Sequence, residues 1–464
     1  MQATLAAAFA AIAERHLQNP PPADLSLWWL RGAIAGDPRL SARIGRGRLE
    51  LLLAGRDVAS AAAPASPEAA AAALARLAAE AVRQSQTLRR AGAEAMVSAG
   101  FDEMFAALDP FSRYLTAEQA RAARAERVGQ AGLGLRIGPG PGGRPAVTLV
   151  EPGGPAALAG IRVGDALLSV DGVPLGASDL PLAALLLEGP PGTAASLRLS
   201  RAGRSMTVEV PRTRRGPPTV SAERRAEGVL WLRLSAFAAD TAAQVEAALA
   251  DPRGTAIVLD LRGNRGGLLS EALAVADALL SAGRIGATTG RHPDATRTWE
   301  ADGPELGRGR PVVVLVDGRT ASAAEVLAAA LADGGRGALV GSGTQGKGLI
   351  QMVVPLPGGA ELLLSWSRLL GPRGTPIQDV GVIPSLCTAL GEAEARRALA
   401  MLAQGGAPMR PVLDRAARLP PEPRWEEARA IRAACPPAEG RALDEAMAAA
   451  LLADPVAYRA ALAR

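Results

Sequence analysis

The chain has 464 residues, 48% hydrophobic and 3% aromatic, with a formal net charge of +5. That length allows two to four domains with full hydrophobic cores. The small charge, the scattered basic residues (densest at 212–215) and the scarcity of aromatic rings argue against a nucleic-acid stacking surface. Two cysteines, Cys387 and Cys435, form no metal pattern and leave a disulfide open, and with only His16 and His292 no histidine-based zinc site is expected. All 51 basic residues are arginine except one, Lys347.

In chain order, residues 1–13 are apolar but lack a basic leader and run on into Glu14 and Arg15, so no secretory signal is evident. The alternative is the start of an amphipathic helix. Arginine and glutamate interrupt every alanine-rich tract before it reaches membrane-spanning length. Residues 1–125 read as a mainly helical region with a linker at 59–67. Within it, 109–115 (Asp-Pro-Phe-Ser-Arg-Tyr-Leu) reads as a packing turn that closes a helix.

Residues 126–212 form a separate unit. Gly132, Leu133, Gly134 and Leu135 precede a strand-like run at 146–150. A Gly-Gly-Pro-Ala segment at 153–156 opens a short helix ending at Gly160, and Asp171-Gly172 signals a hairpin. Glycines at 132 and 134 let backbone N–H groups approach a terminal carboxylate, and the strand that follows offers an edge to a peptide.

After Pro217-Pro218 comes a third unit, 217–390. The run 229–234 reads as a strand, and 256–261 and 311–316 read as buried strands. The second of them ends in the glycine-rich turn 262–267 (Arg-Gly-Asn-Arg-Gly-Gly), whose unblocked N–H groups suit developing negative charge. The third breaks at 317–320, and a helix then opens at 321–325, placing Ser322 at a strand-to-helix turn. A short strand at 338–340 leads to the turn Thr344-Gln345-Gly346-Lys347-Gly348. Strand, helix and strand joined by short turns pair in parallel, which sets both turns at one end of the sheet. A lone serine there is ordinarily a helix cap. The only lysine facing it changes the reading to nucleophile and base, because a desolvated ammonium can lose its proton and a guanidinium cannot. A penicillin-binding-type enzyme would need lysine at 325, where glutamate stands. A Ser-His-Asp triad would need His292, in a Pro/Asp/Thr-rich loop.

These motifs resemble the carboxyl-terminal processing proteases, PDZ-containing serine peptidases, over roughly residues 100–386. The family's Ser-Ala-Ser-Glu helix opening resembles 322–325, and its Thr-Phe-Gly-Lys-Gly turn resembles 344–348 with Gln345 in place of phenylalanine. Its Asp-Pro-His-Ser segment resembles 109–112 with Phe111 for histidine, and its Asn-Pro-Gly-Gly resembles 264–267 with Arg265 for proline. Glu188 stands where the family often carries arginine, and 369–370 lack its two tyrosines.

The resemblance implies Ser322 as nucleophile, Lys347 as general base, Gln351 as the group orienting the amine, and backbone N–H groups of Gly266 and Ala323 as the oxyanion hole. It implies a PDZ domain with Gly132, Leu133, Gly134 and Leu135 as carboxylate-binding loop, no cofactor or metal, and a periplasmic or envelope location. The expected architecture is α/β and multidomain: a helical N-terminal region (1–125), an inserted PDZ domain (126–212; a small β-barrel with helices), a crotonase/Clp-protease-like α/β peptidase core (217–390) and a helical tail (391–464). The tail helices are candidates for self-association or adaptor binding, or they simply pack on the core. The function expected is a serine endopeptidase acting on proteins with free C-termini. The alternative is a non-catalytic PDZ scaffold with a degenerate peptidase core.

Overall fold

A computed structural model describes residues 1–128, 131–151, 154–187, 189, 192–214 and 219–463. Glu188, Gly153, Arg215 and Pro217-Pro218 lie outside them. Two compact units emerge: residues 1–122 with 220–237 and 242–464, and residues 123–219 with 238–241.

The centre of the first unit is a sheet whose strands run in the order Val220–Arg224, Leu230–Leu234, Ile257–Asp260, Val312–Val316, Gly337–Gly341 and Leu386–Cys387. The first pair is antiparallel and the rest are parallel, as the strand–helix–strand spacing predicts. Strand side chains alternate, and here both faces are covered, which is why 312–316 is apolar without interruption. Val312, Val314 and Val316 pack with the helices Thr241–Leu249, Leu269–Asp277 and Ala323–Asp333. Val313 and Leu315 pack instead with Leu402, Met447, Ala448 and Leu451. The C-terminal helices are therefore the second layer of this sheet rather than an appendage. Truncating Leu451, which is fully buried, would cost about 2–5 kcal/mol. Cys387 and Cys435 are joined, S–S 2.02 Å, which closes the question left open by their spacing.

Besides its helices, the N-terminal region contains a sheet that the sequence did not announce. Between helices Pro22–Ile34 and Pro67–Gln84 lies an antiparallel sheet of Leu40–Gly45, Arg48–Leu53 and Arg56–Ala62. Residues 59–62 belong to its third strand and are not a linker, and Ser66 caps the next helix by accepting the Ala69 N–H. Local alanine content favours helix, but pairing with Leu49 and Leu51 wins. The turns Arg46-Gly47 and Ala54-Gly55 have positive φ throughout, the geometry of tight hairpins. This region shares one core with Leu362 and Leu364 of a second sheet, which contains Gly283–Thr289, Leu349–Pro355 and Glu361–Leu370.

The second unit is an antiparallel sheet in the order Arg204–Pro211, Ala194–Arg201, Ala166–Val170, Pro145–Val150, Leu135–Pro139, with helices Pro155–Leu158 and Leu180–Leu187. Asp171-Gly172 forms the expected hairpin turn joining Val170 to Val173. Arg212 is not part of a surface patch. It is buried, and its guanidinium donates to the carbonyls of Leu186, Leu187 and Ala194. No helix among the described residues is long and apolar enough to cross a membrane.

Candidate active site

Ser322 stands where the buried strand Val312–Val316 turns into the helix Ala323–Asp333. The turn is over-determined. Asp317 Oδ1 accepts the N–H groups of Gly263, Arg319 and Thr320 at 2.9–3.0 Å, Thr320 Oγ1 donates to Leu261 O, and Ala321 N–H donates to Asn264 O. That framework holds Ser322 at φ 57° and ψ −121°, a conformation costing about 1–3 kcal/mol for a residue with a Cβ. Its Oγ does not cap the helix. Ser322 is half-buried between the buried Ala321 and Ala323. Gly266 presses against this turn: a Cβ there would lie 2.8 Å from Ala321 O and 3.0 Å from Ala323 N, so only glycine fits. The N–H of Ala323, first in its helix, has no partner among the described residues. The Gly266 N–H, by contrast, donates to Asn264 Oδ1 at 2.8 Å.

The lysine turn is joined to the serine turn by one buried carboxylate. Glu325 Oε1 accepts from Thr344 Oγ1 (2.5 Å) and Gly346 N–H (2.7 Å), and its Oε2 accepts from Ser322 N–H (2.7 Å) and Lys347 N–H (3.0 Å). Burial pushes this carboxyl upward, and those four donors oppose the shift. An anion with two donors on each oxygen matches them without a wasted proton. The sequence carried a signal for this residue, since Ser-Ala-Ala-Glu is a capping-box pattern. Gln345 N–H donates to Thr320 O, and Gln378 Oε1 receives the Gly348 N–H at 2.9 Å.

Lys347 is half-buried, its Nζ 5.2 Å from the centre of the Phe111 ring. Burial lowers its pKa below the ordinary lysine value, Arg113 lowers it further, and Glu325 opposes. Its amine makes no hydrogen bond among the described residues, with Ser322 Oγ or with Gln351. Gln351, expected to orient the amine, donates from Nε2 to Leu349 O (3.1 Å) and Ser365 Oγ (3.2 Å). The structure thus brings Ser322, Ala323, Gly266 and the Lys347 backbone together, and directs the Gln351 amide nitrogen elsewhere. Asn264 and Glu325, which no sequence argument assigned a role, do the joining.

In the second unit, Gly132 pairs with Thr213, Leu133 is buried, and Gly134 has φ 71°. The strand Leu135–Pro139 ends its sheet, pairing only with Pro145–Val150, so its outer edge is open among the described strands.

The profile of Peptidase family S41 matches residues 228–387, and a PDZ domain profile matches 146–201. The chain is 32% identical over 302 residues to a carboxy-terminal-processing protease of Bartonella bacilliformis, spanning 63% of this chain and 69% of that one. It is 35% identical over 296 residues to a carboxyl-terminal-processing protease of Synechocystis sp., spanning 61% and 69%. A solved photosystem II D1 C-terminal processing protease shares 30% identity, with 70% of this chain and 90% of that one covered, at a TM-score of 0.39. With a PDZ domain beside its peptidase domain and these relatives matched over more than two thirds of their length, the chain belongs to the carboxyl-terminal processing proteases of peptidase family S41 and is a serine-type peptidase.

Proposed function

We propose that the protein cleaves polypeptides by a Ser–Lys mechanism and selects them by their C-termini through its PDZ domain. The observation that carries the reading is Glu325, whose single carboxylate holds the N–H of Ser322 and the N–H of Lys347 at once. Neutral Lys347 takes the proton of Ser322 Oγ as that oxygen attacks the scissile carbonyl carbon. The oxyanion that forms is met by the Ala323 N–H, and by the Gly266 N–H once its bond to Asn264 is shared. The lysine then hands its proton to the leaving nitrogen, the peptide bond breaks, and an ester to Ser322 remains. Water, deprotonated by the again neutral amine, hydrolyses that ester.

Gln351 lies four residues past the base, and the role assigned to its carbonyl oxygen is to accept an amine N–H. The lone pair of the amine is then aimed at Ser322. In the second unit, the N–H groups around Leu133, Gly134 and Leu135 receive the substrate carboxylate, and the open edge of Leu135–Pro139 pairs with the preceding residues. The test is release of peptides from an unstructured protein with an apolar C-terminus, followed by mass spectrometry, for wild type and Ser322→Ala. Cleavage by the wild type alone is expected. Equal cleavage by both would remove Ser322 from the chemistry.

A further inference from the structure

The bond from Gln351 to Ser365 is one link of a buried polar chain. Ser365 is fully buried, and its Oγ lies 2.7 Å from Asp109 Oδ1. The same oxygen accepts the N–H groups of Phe111 and Ser112 at 2.9 Å each. Asp109 Oδ2 lies 2.9 Å from Nε2 of His16, which is itself buried. Backbone bonds close the same junction: Leu17 N–H donates to Ser365 O at 3.0 Å, and Ser365 N–H donates to Ser112 Oγ at 2.9 Å. Residues from the end of helix Gln2–Arg15, the turn at 109–112 and the strands Glu361–Leu370 and Leu349–Pro355 thus meet in one polar line.

The line has a direction. Gln18 offers both its N–H and its carbonyl to His16 Nδ1 at 3.0 Å, so in either protonation state Nε2 carries the proton that Asp109 accepts. Burial pushes the Asp109 carboxyl up, but bonds from His16, Ser112, Ser365 and the Phe111 N–H outweigh it and hold the group well below the usual carboxylate range. An ionised carboxylate only accepts, so the single hydroxyl proton of Ser365 points to Asp109. The lone pairs of Ser365 are then all that Gln351 can meet, and only the amide nitrogen of Gln351 can meet them. Its Oε1 has no hydrogen-bond partner among the described residues.

We propose that His16, Asp109 and Ser365 are positioning residues for the peptidase reaction, which fix the amide of Gln351 so that its carbonyl oxygen is presented to the Lys347 amine. This rests on the reading of Gln351 as the group that orients Lys347. Without the Ser365 hydroxyl only the bond to Leu349 O aligns the amide, and an amide that turns over offers its NH2 to an amine, donor against donor. The packing role of the Asp-Pro-Phe-Ser turn and its role in the reaction are then one property. A spectator turn would be needed for folding alone, whereas this one also sets which end of Gln351 faces the base.

The test is a double-mutant cycle of Ser365→Ala and Gln351→Ala, with kcat and KM read on a peptide substrate and thermal melting run in parallel. Loss of the aligning bond should lower kcat about tenfold in Ser365→Ala while KM stays within about twofold. Ser365→Thr, which keeps the hydroxyl, should recover most of that loss, and the double variant should be no slower than Gln351→Ala. If Ser365→Ala does not fold, Ser365→Cys fills the same space with a poor hydrogen-bonding group and takes its place in the cycle. A Ser365 effect that persists undiminished in the Gln351→Ala background, or a kcat that falls for Gln351→Ala and not for Ser365→Ala, overturns the positioning role. An unchanged kcat in Gln351→Ala overturns the assignment of Gln351 itself, and the proposal with it.

Discussion

The serine turn and the loop at 132–135 both rest on glycine-rich backbone beside a strand, yet they are built to opposite ends. At the serine turn Ala321, Ala323, Ala324 and Glu325 are buried, Ser322 is held in a strained conformation, and side chains of Asp317, Asn264 and Glu325 occupy the surrounding N–H groups. In the second unit the end strand keeps one edge unpaired among the described strands, and Leu158, Val163 and Leu185 are 81%, 63% and 66% exposed. Chemistry requires atoms fixed before substrate arrives, and strain can be held only where many bonds agree. Recognition of varied C-termini requires unpaired backbone and accessible apolar surface. Damage to the first region should therefore appear in kcat, and damage to the second in KM.

The largest expected effect is at the dyad. Ser322→Ala and Lys347→Arg should each lose at least about 1,000-fold in kcat while melting close to wild type, since neither removes a bond of the turns. Peptide release alongside circular dichroism measures both. The arginine keeps charge and bulk and loses only the ability to be neutral, so near-wild-type cleavage by that variant would end the Ser–Lys reading.

Glu325→Gln comes next. An amide has one accepting oxygen for four donors, and its NH2 would face two of them. A stability loss of about 2–4 kcal/mol and a fall in kcat of about 100-fold are expected. Chemical denaturation and steady-state kinetics check the two numbers. A variant with unaltered kcat would show that the carboxylate does not hold the turns in register.

A smaller effect concerns pH. Only neutral Lys347 is a base, so kcat/KM should rise with pH through the lysine's pKa and level off above it. Burial and Arg113 bring that rise below the range of free lysine. Arg113→Glu replaces a repelling charge by an attracting one, favours the ammonium, and should move the rise to higher pH by less than about one unit. A rise displaced to lower pH would contradict the sign.

The smallest effect tests the other half of the comparison. Amidating the C-terminus of a peptide substrate removes the charge that the 132–135 loop would bind, so KM should rise about tenfold with kcat unchanged. If kcat falls instead and KM does not move, the PDZ domain acts on the chemistry and the division between the two regions fails.

What could be read along the chain was whatever depends on neighbours in sequence. Short runs rich in β-branched and large apolar residues marked the strands at 230–234, 257–260 and 312–316, the last without a polar break. The strand–helix–strand spacing implied parallel pairing, and the solitary Lys347 marked its own turn. Asp171-Gly172 announced its hairpin because φ > 0 is written in residue type. Tertiary structure decided what depends on partners far away. The alanines at 59 and 61 became strand because Leu51 and Leu49 pair with them, and the last helices became a layer because one face of the sheet needed cover. Ser365 meets Asp109 across 256 positions, and His16 meets Asp109 across 93. A serine, an aspartate and a histidine so spaced carry no periodic signal. A hydrogen bond reports only that two groups ended about 3 Å apart, and where they end is set by the packing of every element between them.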